Sequence, residues 1–336
     1  MSNRIEWIDA LKGFAIFSVV LGHCVTDSMS SNTFPEYAAT LKIIYDFIYS
    51  FHMPLFFIIS GFVFYISKSY KRFKIKVIDF TIVYILWSSF MWASKYVMAK
   101  DVNNPVTLVD LFSIVYKPIM IYWYLYVLIF MYLVVSLLKI ERVSGKVLLF
   151  SAIIAIGVKF LHLEIGIVNQ FLYHIYFFLA GGYCVSSGLL TKIRKREFLL
   201  SIFVLLANIF LYLFASPLPE TVVIIKGFII ANVASLACFF AISNMKPMSV
   251  LVLMGANTLQ IYVMHCFFTG GLRVVFKHLA CSNIYLYFLL GTLMGIVIPI
   301  LTASMCKKSP YLNGLFEPLK SLRQLGVVKG LSLIHI

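Results

Sequence analysis

Charge is scarce in this chain of 336 residues, and negative charge is the scarcest. Only 12% of the residues are charged, and they comprise 28 Lys+Arg against 13 Asp+Glu. A soluble domain of this length carries about a quarter charged residues, so the composition excludes an ordinary soluble protein. The hydrophobic share of 62% and the mean hydropathy of +0.96 are typical of an integral membrane protein, because apolar runs of about 20 residues recur along the whole sequence.

Cysteine patterns that bind metal or build a disulfide framework are also missing. The six cysteines include no C-x-x-C pair and no metal-ligand spacing, so the sequence predicts neither a disulfide framework nor a metal site. We expect them to pack as small apolar side chains. Cys24 and Cys266 directly follow histidines, and helical geometry predicts that they point about 100° away from them and pack rather than act as nucleophiles.

The net charge of +15 raises the question of nucleic-acid binding. The cations, however, concentrate in short polar gaps between apolar runs, and mostly in alternate gaps. That distribution follows the positive-inside rule and the attraction of anionic inner-leaflet lipid. It predicts a membrane partner, no nucleic acid, and cytoplasmic locations for both chain termini.

Apolar runs bounded by polar gaps give ten candidate spans. They are centred near Ala15, Phe57, Trp87, Leu128, Ala155, Phe178, Leu205, Ile230, Ile261 and Gly295. We therefore predict an all-α integral membrane protein, a bundle of about ten transmembrane helices. Residues 1–310 would form a single transmembrane domain, and residues 311–336 a short cytoplasmic tail.

The first span, from about Ile8 to Val25, contains Lys12 and His23. Eleven residues correspond to about three helical turns, so the two side chains share one stripe about 16 Å apart along the axis. Asp9 lies within about 60° of that stripe. Lysine snorkelling to the inner headgroups and a hydrogen-bonded histidine near the outer interface would explain either residue alone. Ionisable groups aligned inside one span favour a functional site.

Two further histidines fall in the outer halves of their spans. His52 precedes a proline in the second span, and taken alone it fits an interfacial histidine beside a kink equally well. Tyr262 and His265 belong to a polar stripe on the ninth span, which must face a neighbouring helix or a cavity. Three histidines from three helices are thus predicted to lie at a similar depth.

A basic cluster follows the second span, with five cations within residues 68–76. In most membrane proteins such a cluster is a topology signal. Lys71, Arg72, Lys74 and Lys76 are also suited to bind a phosphate-rich ligand at the inner surface. Both interpretations stay open on the residues alone.

Aromatic residues mark the outer start of the fourth span. Tyr122, Trp123 and Tyr124 are consecutive there. Tryptophan and tyrosine concentrate at membrane–water interfaces, so the simplest interpretation is an interfacial aromatic belt.

Together these motifs resemble the acyltransferase 3 family of bacterial membrane acyltransferases that modify cell-surface sugars, especially members similar to fucose 4-O-acetylase. The blocks that carry the resemblance are Asp9-x-x-Lys12-Gly13 with His23, His52-Met-Pro-Leu-Phe-Phe-x-x-Ser60-Gly61, Tyr122-Trp-Tyr-Leu125 and Asn257 to His265. The family often has arginine at Lys12 and an Arg-x-Arg element at Lys74-Ile-Lys76. Lysine keeps the charge but loses the planar fork, so an electrostatic contribution is what carries over.

The resemblance implies transfer of an acyl group, most often acetyl, from cytoplasmic acyl-CoA to a sugar hydroxyl of a polysaccharide or lipid-linked glycan. The location implied is the bacterial cytoplasmic membrane, with acyl-CoA as donor substrate and no metal. His23 is the hypothesised general base on the acceptor hydroxyl or on an intermediate carrier. Asp9 and Lys12 would hold each other and position the donor. His52, Tyr262 and His265 would orient the acceptor or supply a second acid or base, and the basic cluster would hold the donor.

Two alternatives use the same polar stripes without acyl transfer. One is a transporter or flippase of a lipid-linked glycan, in which the stripes line a translocation path. The other is a protein that binds a partner or senses a ligand. Release of free CoA thiol from acyl-CoA, dependent on glycan and on His23, separates the enzyme from both.

Overall fold

Helices form all the regular structure in the part of the chain described by this computed structural model, which comprises residues 5–102, 104–162, 165–189 and 219–327. They are α1 Glu6–Ser30, α2 Ala38–Ile66, α3 Phe73–Val97, α4 Leu108–Ser113, α5 Trp123–Leu137, α6 Gly145–Phe160, α7 Ile167–Ser187, α8 Glu220–Asn244, α9 Ser249–Ala256, α10 Thr258–His278, α11 Ile284–Cys306, α12 Pro310–Asn313 and α13 Pro318–Gln324. Short 3-10 helices precede α2, α3 and α5 at Pro35–Tyr37, Ser69–Arg72 and Met120–Tyr122.

Seven helical segments of the described residues are long and apolar enough to cross a membrane. These are Glu6–Ser30, Pro35–Ile66, Ser69–Val97, Met120–Leu137, Glu220–Asn244, Thr258–His278 and Ile284–Cys306. The prediction of an all-α, multi-pass membrane protein is therefore confirmed. Of the other predicted spans, two are the helices α6 and α7, and the one centred near Leu205 lies outside the described residues. The count of about ten spans and the cytoplasmic termini stay predictions.

Helix α1 packs against α2, α9, α10 and α11. Its contact with α9 is the closest, because glycines line both sides. A Cβ atom on Gly13 would lie 2.0 Å from the carbonyl oxygen of Leu251, and one on Gly255 would lie 1.7 Å from that of Asp9. As residue numbers rise along α1 they fall along α9, so the two helices run antiparallel with their backbones in contact.

The chain reverses direction at Asn257, between α9 and α10, where the backbone leaves the helical conformation at φ −118° and ψ 25°. Where α10 contacts α1, residue numbers rise in the same direction along both helices, from His23 beside His265 to Asp27 beside Thr269. Helices α1 and α10 therefore run parallel. This break places the start of α10 beside the first turns of α1 and brings His265 to the level of His23.

Glycines also join α2 to α7. A Cβ atom on Gly61 would lie 1.8 Å from the carbonyl oxygen of Phe178, and one on Gly181 would lie 2.0 Å from that of Ile58. Helix contacts in membranes depend on such small residues, because they let backbones approach closely. Gly61 therefore permits the close approach of α7 to α2.

The described part of the predicted tail packs against α3. The Phe316 ring stacks on Trp87 at 5.4 Å between centroids, and Trp87 Nε1 donates to the carbonyl oxygen of Leu315 at 2.8 Å. The backbone N–H of Leu319 donates to a carboxylate oxygen of Asp79 at 3.0 Å. This segment therefore covers one side of α3 instead of extending away from the bundle.

Candidate functional site

His23 of α1 and His265 of α10 lie side by side. Their ring centroids are 5.1 Å apart and the ring planes are inclined by 52°. His265 is fully buried, whereas His23 is partly buried. The structure thus brings together two of the three histidines that the sequence places at one depth.

Hydrogen bonds fix the tautomer of His265. Its Nδ1 lies 2.9 Å from the carbonyl oxygens of Ile261 and Tyr262. Carbonyl oxygens only accept, so Nδ1 donates and Nε2 keeps its lone pair. That nitrogen lies 3.4 Å from Cys266 Sγ.

The contact between Cys266 and His265 contradicts the predicted orientation of this cysteine. The expectation that Cys266 points away from its neighbour is wrong, because an imidazole reaches far enough from its own Cα for the terminal atoms to meet. Cys24 behaves differently, since its thiol has the hydroxyl of Thr292 as its side-chain hydrogen-bond partner.

His52 of α2 completes the histidine group. It is 3% exposed, and its Nδ1 lies 2.8 Å from the carbonyl oxygen of Ile48, so its Nε2 also keeps a lone pair. Its ring packs edge-on against Tyr49 at 4.6 Å between centroids. Both His52 and His265 are close enough to interact electrostatically with His23.

A small cavity opens at His23. It has a volume of about 30 Å³ and is lined by Val19, His23, Met53, Phe56, Ile121, Trp123, Tyr124 and Tyr262. That volume accommodates about two water molecules. Most of the wall is apolar, and His23, Tyr124 and Tyr262 are its residues with polar side-chain groups, a composition that is usual for a small-molecule site.

Tyr262 lines the cavity, as its predicted place in the site requires, but its hydroxyl is already engaged by the backbone. It donates to the carbonyl oxygen of Ile121 at 2.6 Å and accepts from the N–H of Leu125 at 3.3 Å. The carbonyl belongs to the 3-10 helix before α5, and the N–H of Leu125 lies in the first turn of α5, where helical N–H groups lack intrahelical partners. In this arrangement Tyr262 anchors α5 to α10.

The aromatic-belt interpretation is wrong for Tyr122 and Tyr124. Tyr122 is fully buried and its hydroxyl donates to the carbonyl oxygen of Val263 at 2.7 Å. The hydroxyl of Tyr124 is 2.6 Å from Ser60 Oγ, and Trp123 lines the cavity. The 3-10 turn before α5 directs these side chains into the bundle, whereas the side chains of belt residues would face the headgroups.

Asp9 and Lys12 hold each other, as predicted. Lys12 Nζ lies 3.4 Å from Asp9 Oδ1, and the two side chains are 29% and 5% exposed. They lie near the break between α9 and α10, where Asn257 Oδ1 accepts from Lys307 Nζ at 3.4 Å. Polar groups therefore collect at the base of α1, about 16 Å along its axis from His23.

Sequence analysis missed a polar group one turn beyond the histidines. Thr269 Oγ1 donates to Asp27 Oδ2 at 3.1 Å, and Arg273, only 5% exposed, interacts electrostatically with Asp27. Residue spacing could have indicated this group, because Asp27 and Thr269 each follow a site histidine by four residues and share its helix face.

The cations of the basic cluster are exposed at the start of α3. Lys71 and Arg72 end the preceding 3-10 helix, and Lys74 and Lys76 lie just after the first residue of α3, whose first turn contains no acidic residue. Helix N-termini carry partial positive charge, so cations placed there add to it. The exposed cations and the helix N-terminus together make this end of α3 positively charged.

Comparison with known proteins gives one match. No curated protein and no solved structure matches the sequence. A family model described as an acyltransferase domain matches residues 5–304, a range that contains the histidine group, the Asp9–Lys12 pair and the basic cluster. The chain therefore belongs to the acyltransferase 3 family and is a membrane acyltransferase.

Proposed function

We propose that this enzyme transfers an acyl group, most simply acetyl, from cytoplasmic acyl-CoA to a sugar hydroxyl of an extracytoplasmic polysaccharide or lipid-linked glycan at a bacterial cytoplasmic membrane. The observation that carries the proposal is the pairing of His23 with His265 beside a cavity, in a chain of an acyltransferase family. Lys12 lies on the same helix, three turns away on the predicted donor side.

His23 is the proposed general base. Neutral imidazole accepts a proton near physiological pH, which suits it to deprotonate an alcohol. In the proposed step the ring takes the hydroxyl proton while the sugar oxygen attacks the thioester carbonyl. The carbon–sulfur bond breaks, and the departing thiolate takes that proton from the His23 imidazolium to leave as free CoA thiol. His265, with its Nε2 lone pair beside His23, orients the acceptor or the base.

The donor is proposed to bind at the predicted inner side. CoA carries several phosphate charges, which lysine and arginine side chains and helix N-termini bind. The start of α3 supplies exposed cations. Lys12, positioned by Asp9 at 3.4 Å, would attract the reactive end of the donor into the bundle.

Neutralising the start of α3 tests this donor site. We expect the double variant Lys74→Gln, Lys76→Gln to raise KM for acyl-CoA about tenfold, equivalent to about 1.4 kcal/mol of binding, with little change in kcat. The measurement is the initial rate of CoA thiol release against acyl-CoA concentration. The matched control is Lys139→Gln, Lys146→Gln, which removes two exposed lysines from another predicted inner gap. Equal KM values in the two double variants would remove the basic cluster from the donor site.

A glycan flippase without chemistry stays the alternative, and membership of an acyltransferase family favours the enzyme over it. Two observations separate them. Glycan-dependent release of CoA thiol by the purified protein supports acyl transfer. Deletion of the gene should also remove an increment of acyl mass from the surface glycans, whereas loss of a flippase would reduce the glycan itself.

A further inference from the structure

We propose that His23, His265 and Cys266 bind a borderline-soft divalent cation such as Zn²⁺, and that the bound cation blocks acyl transfer. The three side chains each offer one ligand atom, and these atoms all lie within 4.8 Å of one another. Binding of the cation stands independently, and only the inhibition rests on the proposed function. Sequence spacing could not indicate this site, because its ligands come from two helices.

The ligand set selects the kind of metal. Two imidazole nitrogens and a sulfur suit Zn²⁺ and its neighbours in the transition series, whereas Mg²⁺ and Ca²⁺ prefer oxygen. Three protein ligands leave the fourth tetrahedral position open to water, which the cavity beside His23 can admit. The site therefore has the composition of an exchangeable zinc site with an open position.

His265 is already oriented for coordination. Its Nδ1 is held at 2.9 Å by two backbone carbonyls, so Nε2 points at the cluster with its lone pair available. Such second-shell hydrogen bonds fix the tautomer and direction of metal-binding histidines. The separation of His265 Nε2 and Cys266 Sγ is 3.4 Å, close to the roughly 3.5 Å between nitrogen and sulfur ligands of tetrahedral zinc.

His23 needs a small movement to complete the site. Ligand atoms up to 4.8 Å apart must approach by about 1 Å to share a tetrahedral ion. His23 is partly buried and borders the cavity, so its ring has space to turn.

Nearby charge offsets part of the cost of placing a cation within the bundle. Binding displaces the thiol proton of Cys266 to solvent and leaves a thiolate, as zinc coordination requires. Asp27, one turn beyond His23, interacts electrostatically with Cys266 and is held by Thr269 at 3.1 Å. The thiolate and the Asp27 carboxylate bring two negative charges to the divalent ion, and Arg273, on the next turn of α10, offsets one of them.

Coordination and base catalysis exclude each other at His23. A nitrogen that coordinates a cation has no lone pair left to accept a proton, so the occupied enzyme cannot deprotonate an acceptor through that atom. Zn²⁺ is therefore expected to inhibit acyl transfer, and a chelator is expected to restore it.

The test uses the purified, metal-free full-length protein in detergent, titrated with Co²⁺ and then with Zn²⁺. We expect about one equivalent of Co²⁺ to produce a thiolate-to-cobalt charge-transfer band that Zn²⁺ abolishes. Cys266→Ala and Cys266→Ser should both lose the band and weaken Zn²⁺ binding at least tenfold. The matched control is Cys24→Ala, which also removes a cysteine that directly follows a site histidine and should keep the band.

Several outcomes would overturn the site. These are absence of the band in the unmodified protein, its persistence in both Cys266 variants, or its equal loss in Cys24→Ala. Surface pairs such as His278 with Asp101, 3.1 Å apart, contain no sulfur and give no such band. The band is measured without turnover. The metal site can therefore be tested even if the purified protein acylates none of the acceptors tried. A protein that binds Zn²⁺ through Cys266 and keeps full activity would refute the inhibition.

Discussion

Replacement of His23 by alanine is expected to lower kcat for acyl transfer by about 10²–10⁴-fold, the usual contribution of a general base. The protein should stay folded in the membrane, because the side chain borders an existing cavity and is only partly buried. The measurement is the initial rate of CoA thiol release in the presence of acyl-CoA and a glycan acceptor. Retention of the variant in the membrane fraction and its thermal unfolding in detergent report the fold.

A histidine outside the site provides the control. His162→Ala removes an imidazole whose side chain is 63% exposed, and we expect its rate to equal that of the unmodified enzyme. If His23→Ala retains activity within about threefold of His162→Ala, a difference below 1 kcal/mol, His23 is not the base. Transfer would then depend on another group, for which His52 is the first candidate.

Gly255→Ala is expected to damage both stability and activity. Its new Cβ would lie 1.7 Å from the carbonyl oxygen of Asp9, and its next neighbours are also backbone atoms of Asp9. Since no flexible side chain can move aside, α9 and α1 must separate, at a cost of about 1–3 kcal/mol or more. We expect a fall of several degrees in the thermal unfolding midpoint in detergent. Acyl transfer should fall with it, because the shift carries the Asp9–Lys12 pair away from its position.

Gly270→Ala makes the same chemical change on α10, where a Cβ meets nothing within 4 Å. Its unfolding midpoint should be unchanged or slightly higher, because alanine favours helix more than glycine does. Equal effects of the two substitutions would show that the backbone contact between α1 and α9 contributes nothing specific.

The helical fold could be predicted from sequence, because a lipid environment restricts spanning segments to hydrogen-bonded helices with apolar surfaces. Polar residues such as His23 and His265 are conspicuous in these apolar segments of the sequence. The resemblance to the acyltransferase 3 family is confirmed by the family model over residues 5–304. The catalytic assignments of the individual residues stay predictions.

Contacts between helices were harder to predict, because one sequence does not determine how two helices align. The hydrogen bond between Thr269 and Asp27 depends on the parallel alignment of α1 and α10, which the sequence does not specify. Tyr122 and Tyr124 were misassigned because belt residues and site residues have the same composition. Only the turn before α5 distinguishes them, since it directs both hydroxyls into the bundle.

The backbone contact between α1 and α9 holds α1, the helix that contributes Val19 and His23 to the cavity, directly against its neighbour. No side chain there can change rotamer to open a passage, because carbonyl oxygens of one helix meet glycines of the other. The cavity at His23 holds about two water molecules, so a sugar and an acyl group together need more room. The cavity is also lined by Met53, Phe56 and Trp123 of α2 and α5, whose side chains can rotate. Any widening of the cavity is therefore expected to come from these side chains of α2 and α5, while α1 keeps its place against α9.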